Sequence, residues 1–123
     1  MIVYCCSDLI FATKVRSTAE ALGVVSRPVR DATMLANRLN RVDDGKPNDP
    51  VAAVLIDLEA GDHALAMIEQ AKSHDASIPV VCFASHVLTD LLLAAQNKGA
   101  DQVLTKGAFT ARLPELIGAL KPA

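Results

Sequence analysis

The sequence predicts an α/β fold in which helices cover both faces of a parallel sheet. Two observations predict it: short apolar runs alternate with segments of helical periodicity, and these runs lack the polar alternation of a half-exposed sheet. Five such strand–helix units fit into the 123 residues, a length typical of one domain. Right-handed crossovers between parallel strands then place helices on both faces.

The first strand is predicted at residues 2–6, which are apolar without interruption. Ser7 or Asp8 then caps a helix, because short polar side chains accept hydrogen bonds from the free N–H groups at a helix start. Gly23 ends that helix, as glycine commonly does. Residues 24–29 predict a weaker second strand, whose proline favours the edge of a sheet or the end of the strand.

The middle of the chain contains a short helix, a polar loop and the most apolar strand. Asp31 opens the helix, and its apolar side consists of Leu35, Leu39 and Val42. Residues 43–50 are rich in Asp, Pro, Gly and Asn, which predicts a loop. The third strand follows at residues 51–56 and ends at Asp57.

The last two units complete the alternation. A third helix is predicted at residues 64–71, a fourth strand at 78–84, and a fourth helix at 87–98, ended by Gly99. The fifth strand comprises residues 103–105. Apolar positions at helical spacing mark the fifth helix: Leu113, Leu116, Ile117 and Leu120.

Composition excludes several classes of function. With 51% apolar residues and a net charge of −2, the chain is not intrinsically disordered. A slightly acidic balance without a Lys/Arg run argues against nucleic-acid binding by this domain. No apolar run reaches the ~20 residues of a membrane span, and residues 1–6 lack the basic flank of a signal peptide. Three cysteines do not make a disulfide framework, so we expect a cytoplasmic protein with free thiols at Cys5, Cys6 and Cys82.

In such a sheet, ligands bind at the carboxyl ends of the strands, near the point where the strand order reverses. The residues predicted at this carboxyl edge are Cys6, Ser7, Asp8, Asp57, Glu59, Ala84, Ser85 and Lys106. Function is therefore sought among them.

Three segments of the sequence resemble the receiver domain of two-component response regulators, and the resemblance covers essentially the whole chain. Residues 54–57 end at Asp57, where the family carries its phosphoaccepting aspartate. Residues 78–81 resemble the start of the family's fourth strand, and residues 99–106 its Gly-Ala turn, fifth strand and terminal lysine, Lys106. The resemblance implies a flavodoxin-like (βα)5 three-layer sandwich with strand order 2-1-3-4-5, one receiver-like domain over residues 1–123, and a role in phosphorelay signalling.

The chain departs from the family at the residues that assist the aspartate. The family ends its first strand with two acidic residues that hold Mg²⁺, whereas this chain has Cys6 and Ser7, with Asp8 one position late. A thiol is too soft a ligand for Mg²⁺, and a neutral hydroxyl is a weak one. The family's hydroxyl residue at the end of the fourth strand is replaced by Ala84, with Ser85 one position late.

Further departures lie around the fifth strand and the loop after Asp57. Val103 replaces the family's aromatic residue, Gly107 replaces the proline after the lysine, and the loop at residues 58–62 is several residues shorter. We therefore interpret the chain as a degenerate receiver, or pseudo-receiver.

Three functions are compatible with these residues, and the first is favoured. It is a non-enzymatic signalling module that acts by protein contacts, with impaired or absent phosphorylation and no cofactor. The second is a working phosphoacceptor that uses Asp57 in an altered acid pocket, with Asp8 or Glu59 supplying the missing acid and weak Mg²⁺ binding by Asp57 and Asp8. The third is a flavodoxin-like cofactor binder, which the lack of a Gly-rich or Ser/Thr-rich phosphate loop disfavours.

The sequence also predicts the environment of several individual side chains. Lys106 is predicted to lie near Asp57 and keep it ionised, so that Asp57→Asn destabilises the protein modestly. Cys6 is predicted to have a lowered thiol pKa if it faces Lys106 and a helix N-terminus. The histidines lack metal-ligand spacing and are expected at the solvated surface: His63, His74 and His86.

A partner surface is predicted from a run of leucines. Leu91, Leu92 and Leu93 cannot all face the core at 3.6 residues per turn, so either one is merely exposed or they belong to a contact surface. The face formed by the fourth helix, fifth strand and fifth helix resembles the output face of receivers. We expect other signalling proteins or a second copy of the chain to bind there, and neither nucleic acid nor a membrane.

Overall fold

Five parallel strands form one sheet in the computed structural model, which describes residues 1–43, 46–47 and 49–120. The strands are β1 Ile2–Cys5, β2 Ser26–Pro28, β3 Ala53–Asp57, β4 Val80–Ala84 and β5 Gln102–Thr105. Their order is β2-β1-β3-β4-β5, and all four neighbouring pairs are parallel. The predicted flavodoxin-like architecture and strand order 2-1-3-4-5 are confirmed.

Five helices cover the two faces of this sheet. They are α1 Leu9–Ala21, α2 Ala32–Leu39, α3 His63–His74, α4 Thr89–Asn97 and α5 Lys106–Ala119. Helices α1 and α5 pack on one face, whereas α2, α3 and α4 pack on the other. The central strands are buried on both faces, which explains why their sequences show no polar alternation.

The two faces have separate cores, built by alternate residues of each strand. Val54 and Ile56 of β3 point into the core under α2, α3 and α4, whereas Leu55 points into the core under α1 and α5. The second core contains stacked phenylalanine rings, because the ring centroids of Phe83 and Phe109 lie 3.9 Å apart at an angle of 16°. These rings lie beneath the carboxyl edge.

The structure corrects the prediction around α2. This helix ends at Leu39, so Val42 lies outside it and is 44% exposed. The cause is Arg41, whose φ of 64° lies in the left-handed region and turns the chain out of the helix. Val42–Asp43 instead pairs antiparallel with Lys46–Pro47, inside the predicted loop at 43–50; residues 44, 45 and 48 of that loop lie outside the described residues.

The start of α4 is also corrected. The helix begins at Thr89, two residues later than predicted, and Val87 before it is 68% exposed. Among the described helices none is long and apolar enough to cross a membrane.

Candidate functional site

The residues that follow the strands lie along one edge of the sheet. Register places Cys5 beside Ile56 and Asp57 beside Phe83, so the ends of β1, β3 and β4 are level with one another. Because all these strands run parallel, the residues after them share the carboxyl edge. The sequence-predicted set at this edge is Cys6, Ser7, Asp8, Asp57, Glu59, Ala84, Ser85 and Lys106.

Asp57 is a buried carboxylic acid at the centre of this edge. The residue is only 1% exposed to solvent. Its Oδ1 accepts a hydrogen bond from the backbone N–H of Glu59 at 2.9 Å. Burial raises the pKa of Asp57 above its ordinary value, and the Glu59 N–H and the charge of Lys106 oppose that rise without cancelling it. Among the described residues, no donor contacts its second oxygen, Oδ2.

Lys106 is the first residue of α5, and Thr105 caps that helix through a hydrogen bond from Ala108 N–H to Oγ1 at 3.2 Å. The Lys106 Nζ lies 2.9 Å from Glu59 Oε2 and 5.3 Å from the centre of the Phe11 ring. The ion pair of this lysine is therefore with Glu59. Lys106 is near enough to Asp57 for its charge to oppose the rise in the pKa of that acid, but it does not outweigh the effect of burial. The hydrogen bond to Glu59 is the main reason that the pKa of Lys106 is raised.

Glu59 lies in a 3-10 turn, Leu58–Ala60, directly after β3. Its Oε2 accepts both from Lys106 and from the backbone N–H of Ser85, at 3.0 Å. These two donors lower the pKa of the Glu59 carboxyl, with the lysine as the larger cause. We call this arrangement of Glu59 Oε2, Lys106 Nζ and Ser85 N–H the Glu59 bridge. All three residues belong to the sequence-predicted set at this edge, but nothing in the sequence predicted their pairing.

Asp8 serves as the N-cap of α1. Its Oδ1 accepts from the backbone N–H of Ile10 at 2.8 Å. This confirms one of the two predicted caps, and it engages one oxygen of the carboxylate that sequence analysis considered for an acid pocket. The start of α1 also exposes two apolar side chains that sequence analysis missed, Leu9 at 81% and Ile10 at 66%.

Cys5, the last residue of β1, and Cys6, which follows it, are not activated thiols. Burial raises the pKa of Cys6 to about 12, and the negative charges of Asp57 and Asp8 add to the rise, so the predicted lowering is wrong. Burial likewise raises the pKa of Cys5 to about 11. Both line a cavity of about 330 Å³ that includes His63, whose Nε2 lies 3.9 Å from Cys5 Sγ.

The histidines divide into two groups. His63 is half-buried in the cavity beside Cys5, so its predicted place at the solvated surface is wrong. The other two, His74 and His86, are exposed as predicted.

Ala84 is the last residue of β4, at the position where the resemblance to receivers expects a hydroxyl side chain. Its methyl group is fully buried.

The donors at the carboxyl edge do not fit Mg²⁺, the cation that the resemblance implies. This ion prefers several oxygen ligands in an octahedron, usually including one or two carboxylates. Here Asp8 caps a helix, Glu59 holds a lysine, and a thiol stands at Cys6. Within the described ranges, no three His, Cys, Asp or Glu side chains are arranged to hold a metal ion.

Comparison with solved structures identifies the same fold in receiver domains. The chain is similar to the receiver domain of NtrX from Brucella abortus, with a TM-score of 0.73 at 18% identity over 97% of this chain and 98% of that one. It is similar to a response regulator from Thermotoga maritima, with a TM-score of 0.73 at 18% identity over 97% and 95% of the two chains. It is also similar to the phosphorylated cyanobacterial phytochrome response regulator RcpA, with a TM-score of 0.72 at 14% identity over 97% of this chain and 89% of that one.

These similarities establish the receiver-type fold of the chain. The chain spans only 26% of a longer NtrX structure that it also matches. No family model matches the sequence, and no curated protein matches it.

Proposed function

We propose that this chain is a receiver-like signalling domain, spanning residues 1–123 and acting in the cytoplasm by protein contacts. In this proposal it is not an enzyme, and phosphorylation of Asp57 is impaired or absent. One observation carries the proposal: Asp57 is buried at the end of β3, where the resemblance to receivers expects the phosphoacceptor, but the acidic side chains around it are committed to other contacts.

The chemistry of phosphoryl transfer supports this reading. Transfer to a carboxylate requires neutralisation of charge on the phosphoryl oxygens, and a metal ion supplies much of it. Losing one of two metal-binding carboxylates removes roughly 1–4 kcal/mol of attraction at 4 Å. That loss corresponds to a reduction in affinity of up to about a thousandfold.

Incubation with acetyl phosphate and Mg²⁺ tests the proposal. We expect intact-mass spectrometry to show no phosphoryl adduct, and NMR spectra to show little change at the carboxyl edge with millimolar Mg²⁺. A Mg²⁺-dependent adduct that Asp57→Asn abolishes would replace this proposal with the working phosphoacceptor, in which Asp8 or Glu59 supplies the missing acid.

We further propose that partners bind the face formed by α4, β5 and α5. Here β5 is an edge strand, and a groove of about 300 Å³ runs between it and α4. Leu93 is 56% exposed beside this groove, whereas Leu91 and Leu92 are half-buried. The partner is a signalling protein or a second copy of the chain.

Leu93→Lys tests this surface, and Val25→Lys is its control. Val25 is 42% exposed and lies before β2, at the opposite edge of the sheet. We expect Leu93→Lys to weaken self-association in sedimentation experiments, or binding of a partner identified with the wild-type chain, while Val25→Lys leaves both unchanged. Equal behaviour of the two variants would remove the support for this face.

A further inference from the structure

The Glu59 bridge connects three segments of the carboxyl edge through one oxygen atom. Glu59 lies in the turn after β3, Ser85 follows β4, and Lys106 begins α5. The Ser85 carbonyl also accepts from the N–H of Leu88, at 3.0 Å, immediately before α4. Contacts of Glu59 therefore reach the start of two helices, α4 and α5.

We propose that Glu59 is an internal anion that closes the carboxyl edge, holding Lys106 away from Asp57 and fixing the starts of α4 and α5 in one arrangement without any added group. The inference goes beyond the proposed function, because it concerns contacts within the chain and holds whatever the partner is. The bridge occupies Lys106, the cation whose charge acts on Asp57, together with the Ser85 N–H.

Geometry explains why the lysine has a choice of acceptor. The groups that act on Lys106 are the carboxylates of Glu59, Asp57 and Asp8 and the face of the Phe11 ring. Asp8 has one oxygen on Ile10 N–H, and Glu59 is engaged at 2.9 Å. Asp57 still has an oxygen without a donor among the described residues, so a lysine released from Glu59 has a second acceptor nearby.

The bridge is also well suited to be opened. The side chains of Lys106 and Glu59 are 29% and 32% exposed, so water can replace either partner. Exposed ion pairs contribute little to global stability. Opening the bridge is therefore expected to change the edge locally and to leave the rest of the fold intact.

The experiment uses Glu59→Gln, Lys106→Met and the double variant, followed by NMR. In Glu59→Gln we expect the amides of residues 85–88 to exchange with solvent roughly three to five times faster than in the wild type. The carboxyl pKa of Asp57, read from its ¹³C shift, should fall in Glu59→Gln, because Lys106 moves to Asp57. In the Lys106→Met background, Glu59→Gln should lower the pKa of Asp57 less, because only the repulsion by the Glu59 charge is lost.

The control variant is Glu69→Gln, which removes the exposed pair of Glu69 on α3 with Lys98 just after α4, 2.8 Å apart. Glu69→Gln should change neither the exchange at residues 85–88 nor the pKa of Asp57. The exchange of the Leu55 amide in the core reports global stability. Unchanged exchange at residues 85–88, or acceleration equal to that of Leu55, would overturn the proposal. An equal fall in the pKa of Asp57 with and without Lys106 would also overturn it. None of these readouts depends on phosphorylation or on a partner.

Discussion

Two lysine–carboxylate pairs lie at opposite edges of the same sheet, and they use the same hydrogen-bond pattern. In each, one carboxylate oxygen accepts from a lysine and from a backbone N–H. In the pair Lys72–Asp101, at the amino edge, these distances are 2.7 Å and 2.7 Å. In the pair Lys106–Glu59, at the carboxyl edge, they are 2.9 Å and 3.0 Å. What differs is the surroundings of each lysine.

Lys72 has all its hydrogen bonds within the protein. Its Nζ also donates to the carbonyls of Ala76 at 2.8 Å and Ile78 at 3.0 Å, and its side chain is 19% exposed. Burial alone would raise the pKa of Asp101, but hydrogen bonds from Lys72 and from the Val80 N–H lower it. With three acceptors in fixed positions, Lys72 has one arrangement.

Within the described part of the chain, Lys106 has one acceptor, Glu59, and the face of the Phe11 ring, with the buried acid Asp57 as an alternative acceptor. A lysine–carboxylate pair thus holds the backbone in one arrangement at the amino edge, whereas at the carboxyl edge the lysine can bind either of two carboxylates. The number of fixed acceptors around the lysine decides which role the pair has. The following substitutions test that difference.

The largest effect is expected from Lys72→Met. Methionine keeps much of the apolar stem but loses the three hydrogen bonds, so the free energy of unfolding should fall by about 2 kcal/mol. Urea denaturation measures it, with an unchanged slope as the sign of an intact native state. Lys98→Met is the matched control, because the partner of Lys98 among the described residues, Glu69, is exposed. If Lys72→Met and Lys98→Met lower the free energy of unfolding equally, the three hydrogen bonds of Lys72 do not stabilise the fold more than an exposed ion pair does.

A smaller effect of opposite sign is expected from Asp57→Asn. Because burial raises the pKa of Asp57 in the folded protein, its charged form costs stability at pH values above that pKa. Asparagine keeps an acceptor for Glu59 N–H without the charge, so at pH 7 it should raise the free energy of unfolding modestly. The modest destabilisation expected from sequence rested on Lys106 keeping Asp57 ionised, whereas in the structure the effect of burial outweighs that of the lysine.

The pH dependence of this difference gives the sharper measurement. The cost of the charge disappears as the pH falls through the folded pKa toward the ordinary value of 3.8, so the advantage of Asp57→Asn should shrink in acid. A destabilised Asp57→Asn at pH 7 would mean that Asp57 is paired after all.

The sequence predicted the fold because its signals are local and repeated. Uninterrupted apolar runs marked β1, β3 and β4, and glycines marked two helix ends, with Gly23 at φ 72° and Gly99 at φ 105°. At the end of α2 an arginine takes the left-handed conformation instead. No glycine signals that end, so the spacing of Val42 wrongly extended the helix.

At the candidate site, position was predictable and pairing was not. Strand ends alone placed Asp57 and Lys106 at one edge. Which acid the lysine binds depends on the 3-10 turn that brings Glu59 back over the edge, and no spacing rule encodes that turn. The thiol pKa of Cys6 was missed for a related reason: burial and nearby carboxylates outweigh the lysine, and depth of burial at a strand end is set by the neighbouring strands.

The smallest effect is expected from Lys106→Met, and it separates the two lysines most directly. The exposed pair with Glu59 should contribute only about 0.5 kcal/mol at low salt. In about 1 M NaCl, where the screening length is about 3 Å, that contribution should largely vanish. The cost of Lys72→Met should persist there, because carbonyl hydrogen bonds are not screened in the same way. Loss of the Lys106 charge should also raise the pKa of Asp57 further, since this charge opposes the effect of burial. Equal, salt-independent costs for the two lysines would show that both pairs are fixed ties and that the carboxyl edge has no alternative arrangement.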